Sequence, residues 1–204
     1  LRDGKLTLAK HTAPLAFVWS WDADTLATLN PTMVVVSREP DGRWYVTFAV
    51  DTDDPEPAEP TGREVGVDLG VKDFAALSTG EKIANPKHLD RKARNLARYQ
   101  RQVARKQRGP PNRRKAKAKV ARAHRKIRHA RADFLHKTTT RLVREHDVIA
   151  IEDLNVSGMT RSAKGTVDKP GRNVRAKAGL NRAVMDGALG ECRRQRDYKT
   201  THSG

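Results

Sequence analysis

The sequence predicts an α/β chain: a mixed sheet that carries a basic antiparallel helical insertion and is preceded by part of a small β-barrel. Three observations predict it. Val65-Gly66-Val67-Asp68-Leu69-Gly70 and Val148-Ile149-Ala150-Ile151-Glu152-Asp153 are short apolar runs, each reaching a carboxylate. The segment between them is helical in pattern and strongly basic. Residues 1–50 are rich in strand formers and contain a hairpin signal.

Residues 1–50 are expected to be β and to form part of a barrel or sandwich. Thr32 to Ser37 and Arg43 to Val50 are β-rich runs separated by Glu39-Pro40-Asp41-Gly42, which is turn chemistry. In the second run Trp44, Val46, Phe48 and Val50 alternate with Tyr45, Thr47 and Ala49, so one face is the more hydrophobic. A third strand is expected over Leu15 to Trp21. Residues 51–62 are acidic and proline-spaced; prolines deny a ladder its donors and like charges extend the chain, so this is a linker.

Residues 63–204 form the second expected domain. A meander opens it: Glu64 to Val71, a Lys72-Asp73 turn, Phe74 to Leu77, and a short strand around Lys82-Ile83-Ala84. Residues 87–146 read as a helical hairpin, interrupted by Gly109-Pro110-Pro111-Asn112. Leu89, Ala93, Leu96 and Val103 mark its first stripe; Val120, Ile127 and Phe134 recur every seven residues on the second, with Ala123, Ala130 and Thr138 between. Then come strand Val148 to Glu152, a long loop from Asn155 to about Lys177, and a helix from Leu180 to Tyr198.

Charge narrows the function. Lys+Arg 41 against Asp+Glu 24 gives +17 and a pI near 10.5. Such an excess implies an anionic polymer, because phosphates spaced along a backbone reward many cations at once. The hairpin carries the cations: Arg91, Arg94, Arg98, Arg101, Arg105, Arg113, Arg114, Lys115, Arg122, Arg125 and Arg128 are the candidate nucleic-acid-binding residues, with Arg131 beside them. Acids nearly vanish between Asp90 and Asp133, whereas an ordinary solvated helix face mixes signs. Those helices lack a Trp/Phe/Leu-rich face, so a membrane surface is not the expected partner. Cys192 is alone, which excludes a disulfide framework and a CxxC zinc pair. With no apolar run of about 18 residues and no signal peptide, a soluble cytoplasmic protein is expected. The chain opens on Leu1 and ends without an element boundary, so it reads as a piece of something longer.

The carboxylates carry the candidate chemistry. If the strands bearing Asp68 and Glu152 are neighbours, the two acids meet at one edge of the sheet. Glu152 ends an otherwise apolar strand, which predicts a sheet covered on both faces. Like charges this close need a cation between them, and Mg²⁺ suits a site of few carboxylates completed by water and phosphate oxygens. Asp153 should point to the opposite face, which favours Glu152. The competing reading pairs Asp68 with a nearby Lys or Arg and leaves Glu152 as a strand-end residue. The histidines are scattered, mostly along the basic helices, and form no ligand set.

Several of these segments, in order, resemble the TnpB (OrfB-type) transposase family: Val65 to Val71, Asn112 to Ala116, Asp133-Phe134-Leu135-His136-Lys137, Ile151 to Val156 and Gly179-Leu180-Asn181-Arg182. The resemblance implies an incomplete RNase H-like (RuvC-type) sheet, with residues 1–50 part of a wedge, oligonucleotide-binding-type barrel. It implies Mg²⁺-dependent, RNA-guided DNA cleavage, with guide RNA and DNA as partners and Asp68 and Glu152 as catalytic, metal-holding carboxylates. The family's paired-CxxC zinc ribbon and third catalytic Asp have no counterpart here, so these residues alone are expected to bind without cutting. The alternative is a non-cutting nucleic-acid-binding regulator on the same scaffold.

Overall fold

The computed structural model describes residues 5–8, 10, 12–20, 22–53, 59–107, 109 and 111–201. Trp21, His11, His202, Pro110 and residues 54–58 of the proline-spaced linker therefore lie outside the described residues. The chain divides into two compact units, Leu1–Asp53 and Asp54–Gly204.

The first unit contains β1 (Lys5–Leu6), β2 (Leu15–Ala16), α1 (Ala23–Thr28), β3 (Pro31–Arg38) and β4 (Trp44–Val50). The expected hairpin is β3–β4, antiparallel, with Val34 opposite Phe48 and Val36 opposite Val46. Gly42 closes its turn at φ 91, with its N–H donating to the Glu39 carbonyl at 2.9 Å. Phe48 packs against Phe17 and Trp19 at ring centroid distances of 5.6 and 5.9 Å. Trp44, by contrast, is 64% exposed, so only the middle of the alternating face is covered. Two expectations need correction. The strand expected to run from Leu15 stops at Ala16 and pairs with β1 rather than with the hairpin. A helix follows because Asp22 caps it, accepting from the Thr25 N–H at 2.7 Å.

The second unit is α/β with one mixed sheet. Its strands are β5 (Glu64–Leu69), β6 (Asp73–Leu77), β7 (Lys82–Ala84) and β8 (Val148–Ile151), in the order β7-β6-β5-β8. The meander strands pair antiparallel, and β8 returns parallel to β5. Between β7 and β8 lie α2 (His88–Ala104) and α3 (Pro111–Glu145); after β8 come α4 (Val156–Met159), α5 (Val174–Gly187) and α6 (Leu189–Thr201). A parallel return needs a crossover, and the helical hairpin supplies it.

One face of the sheet makes the core. Val65, Val67, Leu69, Phe74, Ala75 and Leu77 pack with Leu135 and Leu142 of α3, Val184 of α5, and Leu189 and Cys192 of α6. Each fully buried Val, Leu or Phe contributes about 1.5–3 kcal/mol. Phe74, 1% exposed, meets Phe134 edge-on at 4.9 Å between centroids. Cys192 shares this apolar setting, and burial pushes its thiol up to about 11. Polar bonds seal α6 onto α3: buried Gln195 accepts from the Thr139 hydroxyl at 3.3 Å, and Lys199 Nζ donates to the Thr139 and Thr140 hydroxyls, each at 2.7 Å.

The other face is open among the described residues, which corrects the expectation of a doubly covered sheet. Along β8 exposure alternates, with Val148 50% exposed and Ile149 and Ile151 turned to the core. The helices differ too. Leu89, Leu96 and Val103 face inward at seven-residue spacing, but Ala93 is exposed. Pro111, expected within the break, is the first residue of α3, where its missing N–H costs nothing. The loop after Asn155 is shorter than expected, since α4 and a narrow turn bridged at Gly165–Pro170 occupy it and α5 starts at Val174. The single helix expected from Leu180 to Tyr198 is two, separated at Ala188 in the left-handed region (φ 49).

A carboxylate clasp sets the start of the parallel pair. Asp147 accepts from the Thr61 N–H (2.9 Å), the Thr61 hydroxyl (2.9 Å) and the Gly62 N–H (2.7 Å), while its own N–H donates to the Arg63 carbonyl (2.9 Å). The backbone donor of Thr61, then its hydroxyl, holds the Asp147 carboxyl below its ordinary value of 3.8. A group depressed in this way stabilises the fold above its unfolded value and ceases to do so as pH falls through the folded one. Asp147→Ala is expected to lower the thermal midpoint at neutral pH, with the gap from wild type closing on acidification below about pH 4. Melting curves across pH check this; a gap that persists in acid would assign the clasp a non-ionic role.

Candidate functional site

The β5–β8 register decides where the two acids stand. Glu64 pairs with Val148, Val65 with Ile149, Gly66 with Ala150 and Val67 with Ile151. The pairing ends there: Asp68 and Glu152 are the next residue on each chain segment, and Glu152 lies just past the end of β8. Both residues are exposed, and the residues before them, Val67 and Ile151, pack on the core side. The chain leaves the sheet immediately afterwards: the Leu154 N–H donates to the Glu152 carbonyl at 3.0 Å, and Asn155 caps α4 through the Gly158 N–H at 2.9 Å.

No ion pair ties off either acid among the described residues. Asp153 differs, since its carboxylate is paired with Arg193 of α6. The face around Asp68 is lined by small side chains: Gly66 and Ala150 on the neighbouring row, Ala76 opposite Asp68 on β6, and Ser78 beyond it. Ser78 Oγ accepts from the Gly66 N–H at 2.9 Å, which completes the ladder where β6 ends. Gly70 is required by the turn, because a Cβ there would stand 2.9 Å from the Asp73 carbonyl oxygen.

Donor chemistry limits what this edge can hold. Among the described residues no group of three or more His, Cys, Asp and Glu side chains converges, so a closed protein cage of the zinc type is not built. Two unpaired carboxylates open to solvent do fit Mg²⁺, which binds through one or two carboxylates and otherwise keeps water and phosphate oxygens.

The basic residues sit on the helical hairpin as the sequence placed them, mostly on its outside. Arg91, Arg94, Arg98, Arg101, Arg105, Arg114, Lys115, Arg122 and Arg128 are exposed; Arg113 and Arg125 are half-buried. Arg98 lies over the Tyr99 ring at 5.2 Å. Where α2 ends and α3 begins, Arg105 and Lys106 face Lys115 and Lys119 across an open cleft floored by Ala116. Arg131 does not join this surface, because its guanidinium bonds Asp186 of α5 at 2.6 Å.

Asp186 is a residue that sequence reasoning missed. It also accepts from the Leu89 N–H, at 3.0 and 3.2 Å to its two oxygens, and so caps α2 from another helix. Lys87, the residue before the helix, supplies no side-chain cap. Beside this junction His88 packs edge-on to Phe134 at 6.0 Å, and burial lowers its pKa. Asn181, part of the last sequence motif, acts structurally, since its Nδ2 donates to the Thr160 carbonyl at 2.7 Å and fixes the end of α4 against α5.

A family model described as a probable transposase, of OrfB type, matches residues 47–163, a span that includes both acids and the whole hairpin. The chain belongs to the OrfB transposase family. It is 43% identical over 204 residues to a protein of Streptomyces pristinaespiralis named "Putative RNA-guided DNA endonuclease", covering 100% of this chain and 46% of that one. It is 43% identical over 163 residues to InsQ of Escherichia coli K12, which bears the same description, covering 80% of this chain and 40% of InsQ. A Mycobacterium tuberculosis relative so described is 36% identical over 141 residues, 67% of this chain and 29% of the relative. The OrfB chain thus spans less than half the length of these relatives. No described helix is long and apolar enough to cross a membrane.

Proposed function

We propose that this chain supplies the acid-bearing sheet edge and the phosphate-binding helices of an RNA-guided DNA endonuclease, with an RNase H-like (RuvC-type) core and with DNA and guide RNA as its partners. The reading is supported above all by the parallel β5–β8 register, whose last pair, Val67 and Ile151, directly precedes Asp68 and Glu152, both exposed and without an ion pair among the described residues. Asp68 and Glu152 would hold Mg²⁺. When bound, the ion supplies a nucleophilic water at neutral pH and charge neutralisation at the phosphate.

The chain's own part is positional. The small residues around Asp68 leave a sugar-phosphate backbone free to come down onto the sheet. The arginines of α2 and α3 offset the charge of successive phosphates, which binds the polymer without reading its bases. Asp153, paired with Arg193, does not compete at the open face.

The test is equilibrium binding of this chain to labelled oligonucleotides. The slope of log K against log salt should be steep, with about 10³-fold or more lost between 50 and 200 mM if six or more phosphates are contacted. In Mg²⁺-free buffer Asp68→Asn and Glu152→Gln should each tighten binding, by removing a repulsive charge next to the phosphate, and should weaken the gain that added Mg²⁺ brings. A flat salt response rejects nucleic-acid binding; unchanged affinity in both acid variants rejects the sheet edge as the place where the phosphate sits.

A further inference from the structure

The acid pair lies at one end of a cross-strand row, and the row has a cation at its other end. Asp68 of β5 is opposite Ala76 of β6, and Ala76 is opposite Lys82 of β7. Residues directly opposite on neighbouring strands share a face, so Asp68, Ala76 and Lys82 follow one another across the open side, with Glu152 at the first residue past the β5–β8 pairing. The neighbouring register supports this, since Ala75, 0% exposed, opposes Ile83, which packs on the core. Two strand spacings separate Lys82 from Asp68, about 10 Å.

Three features suit Lys82 to a ligand. It is exposed, and no carboxylate pairs with it among the described residues. The adjacent Glu81 is already committed to Arg141, with two bonds of 2.7 and 3.1 Å. Between Lys82 and the acids stands only Ala76 in that row, so nothing bulky blocks a strand laid across it.

We propose that Lys82 is a positioning residue: it binds a backbone phosphate next to the one held at Asp68 and Glu152, so that the substrate strand crosses the sheet from β7 towards β8. This rests on the reading of the acid pair as the hydrolytic edge. A polyanion is attracted at one end of the row and repelled at the other, where a bound divalent ion reverses the sign. The substrate is thereby registered along the row as well as attracted to the surface. Lysine suits this role because a flexible point charge can follow a phosphate, whereas bidentate base recognition calls for arginine.

The full chain and a single-stranded oligothymidylate test it in Mg²⁺-free buffer. Lys82→Ala should reduce the salt slope by about 0.7, the share of one phosphate contact on a single strand. Lys82→Arg should restore the slope, and Asp68→Asn should tighten binding in the same assay. An unchanged slope in Lys82→Ala with tighter binding in Asp68→Asn overturns the role of Lys82 and leaves the acid pair standing; a lysine that only guards the sheet edge would behave this way. No response in either variant overturns both readings. A reduced slope without any response to Asp68→Asn places Lys82 on a different strand path and overturns the proposal too.

Discussion

On the function proposed above, replacing Asp68 with alanine abolishes Mg²⁺-dependent strand cleavage by a full-length, RNA-guided protein that contains this chain. The loss should exceed about a hundredfold, because removing even an outer-shell partner of a metal ligand typically costs 10–100-fold in affinity or activity. Glu152→Gln should cost a comparable factor, since each acid directly follows the last paired residues of β5 and β8, Val67 and Ile151. Binding should survive both changes, because neither acid attracts a phosphate by itself. Asp153→Ala is the internal control: its carboxylate is 86% exposed and paired with Arg193, and an exposed pair is worth about 0–1 kcal/mol. Cleavage of a labelled target, measured beside binding, separates these outcomes. Retained cutting in Asp68→Ala, or an equal loss in Asp153→Ala, would remove Asp68 and Glu152 from the chemistry.

The parts of this fold that were legible in the sequence are those fixed by neighbours in the chain. Alternation and turn chemistry located β3–β4, and the Gly70-to-Asp73 turn and the strands on either side of it lay within a few residues of one another. The basic hairpin was legible because charge depletion of one sign persists over many turns. What the sequence concealed depends on distant contacts. Val148 and Ala150 are apolar enough to suggest burial on both faces, yet only Ile149 and Ile151 are packed, because no described element covers the other side. Ala188 breaks the last helical segment between Gly187 and Gly190, a signal that the single-helix expectation did not use; the 2% exposure of Leu189 shows the packing that fixes the chain there. As for the site, the positions of the acids were readable from strand ends, and the pairing of their strands is a property of the fold. Asp186 was unreadable, since its two partners stand 55 and 97 residues away.

That residue carries the second large effect. Asp186→Ala should destabilise the OrfB chain by about 3 kcal/mol, at the lower end of the cost of breaking a buried ion pair. The side chains of Arg131 and Asp186 are 26% and 9% exposed, so water screens the pair only partly. Two losses combine. Arg131, whose Nε is already buried with no hydrogen-bond partner among the described residues, would lose the carboxylate that its guanidinium bonds. The Leu89 N–H would lose its acceptor, and Lys87 at the N-cap supplies no side-chain bond to replace it. A thermal midpoint lower by roughly 6–12 °C should follow for a chain of this size. Because α2 carries Arg91, Arg94, Arg98 and Arg101, loosening its first turn should also weaken oligonucleotide binding, although Asp186 pairs with none of these four. Charge removal alone would predict the opposite, since deleting an acid from a basic protein ought to strengthen its hold on phosphate. Denaturation and binding measured on Asp186→Ala, Arg131→Met and the double variant discriminate the two. If Asp186 acts by anchoring α2, the single variant loses stability and affinity together, and the double variant regains part of the stability as the stranded charge is removed. Tighter binding at unchanged stability would show that α2 holds its position without Asp186.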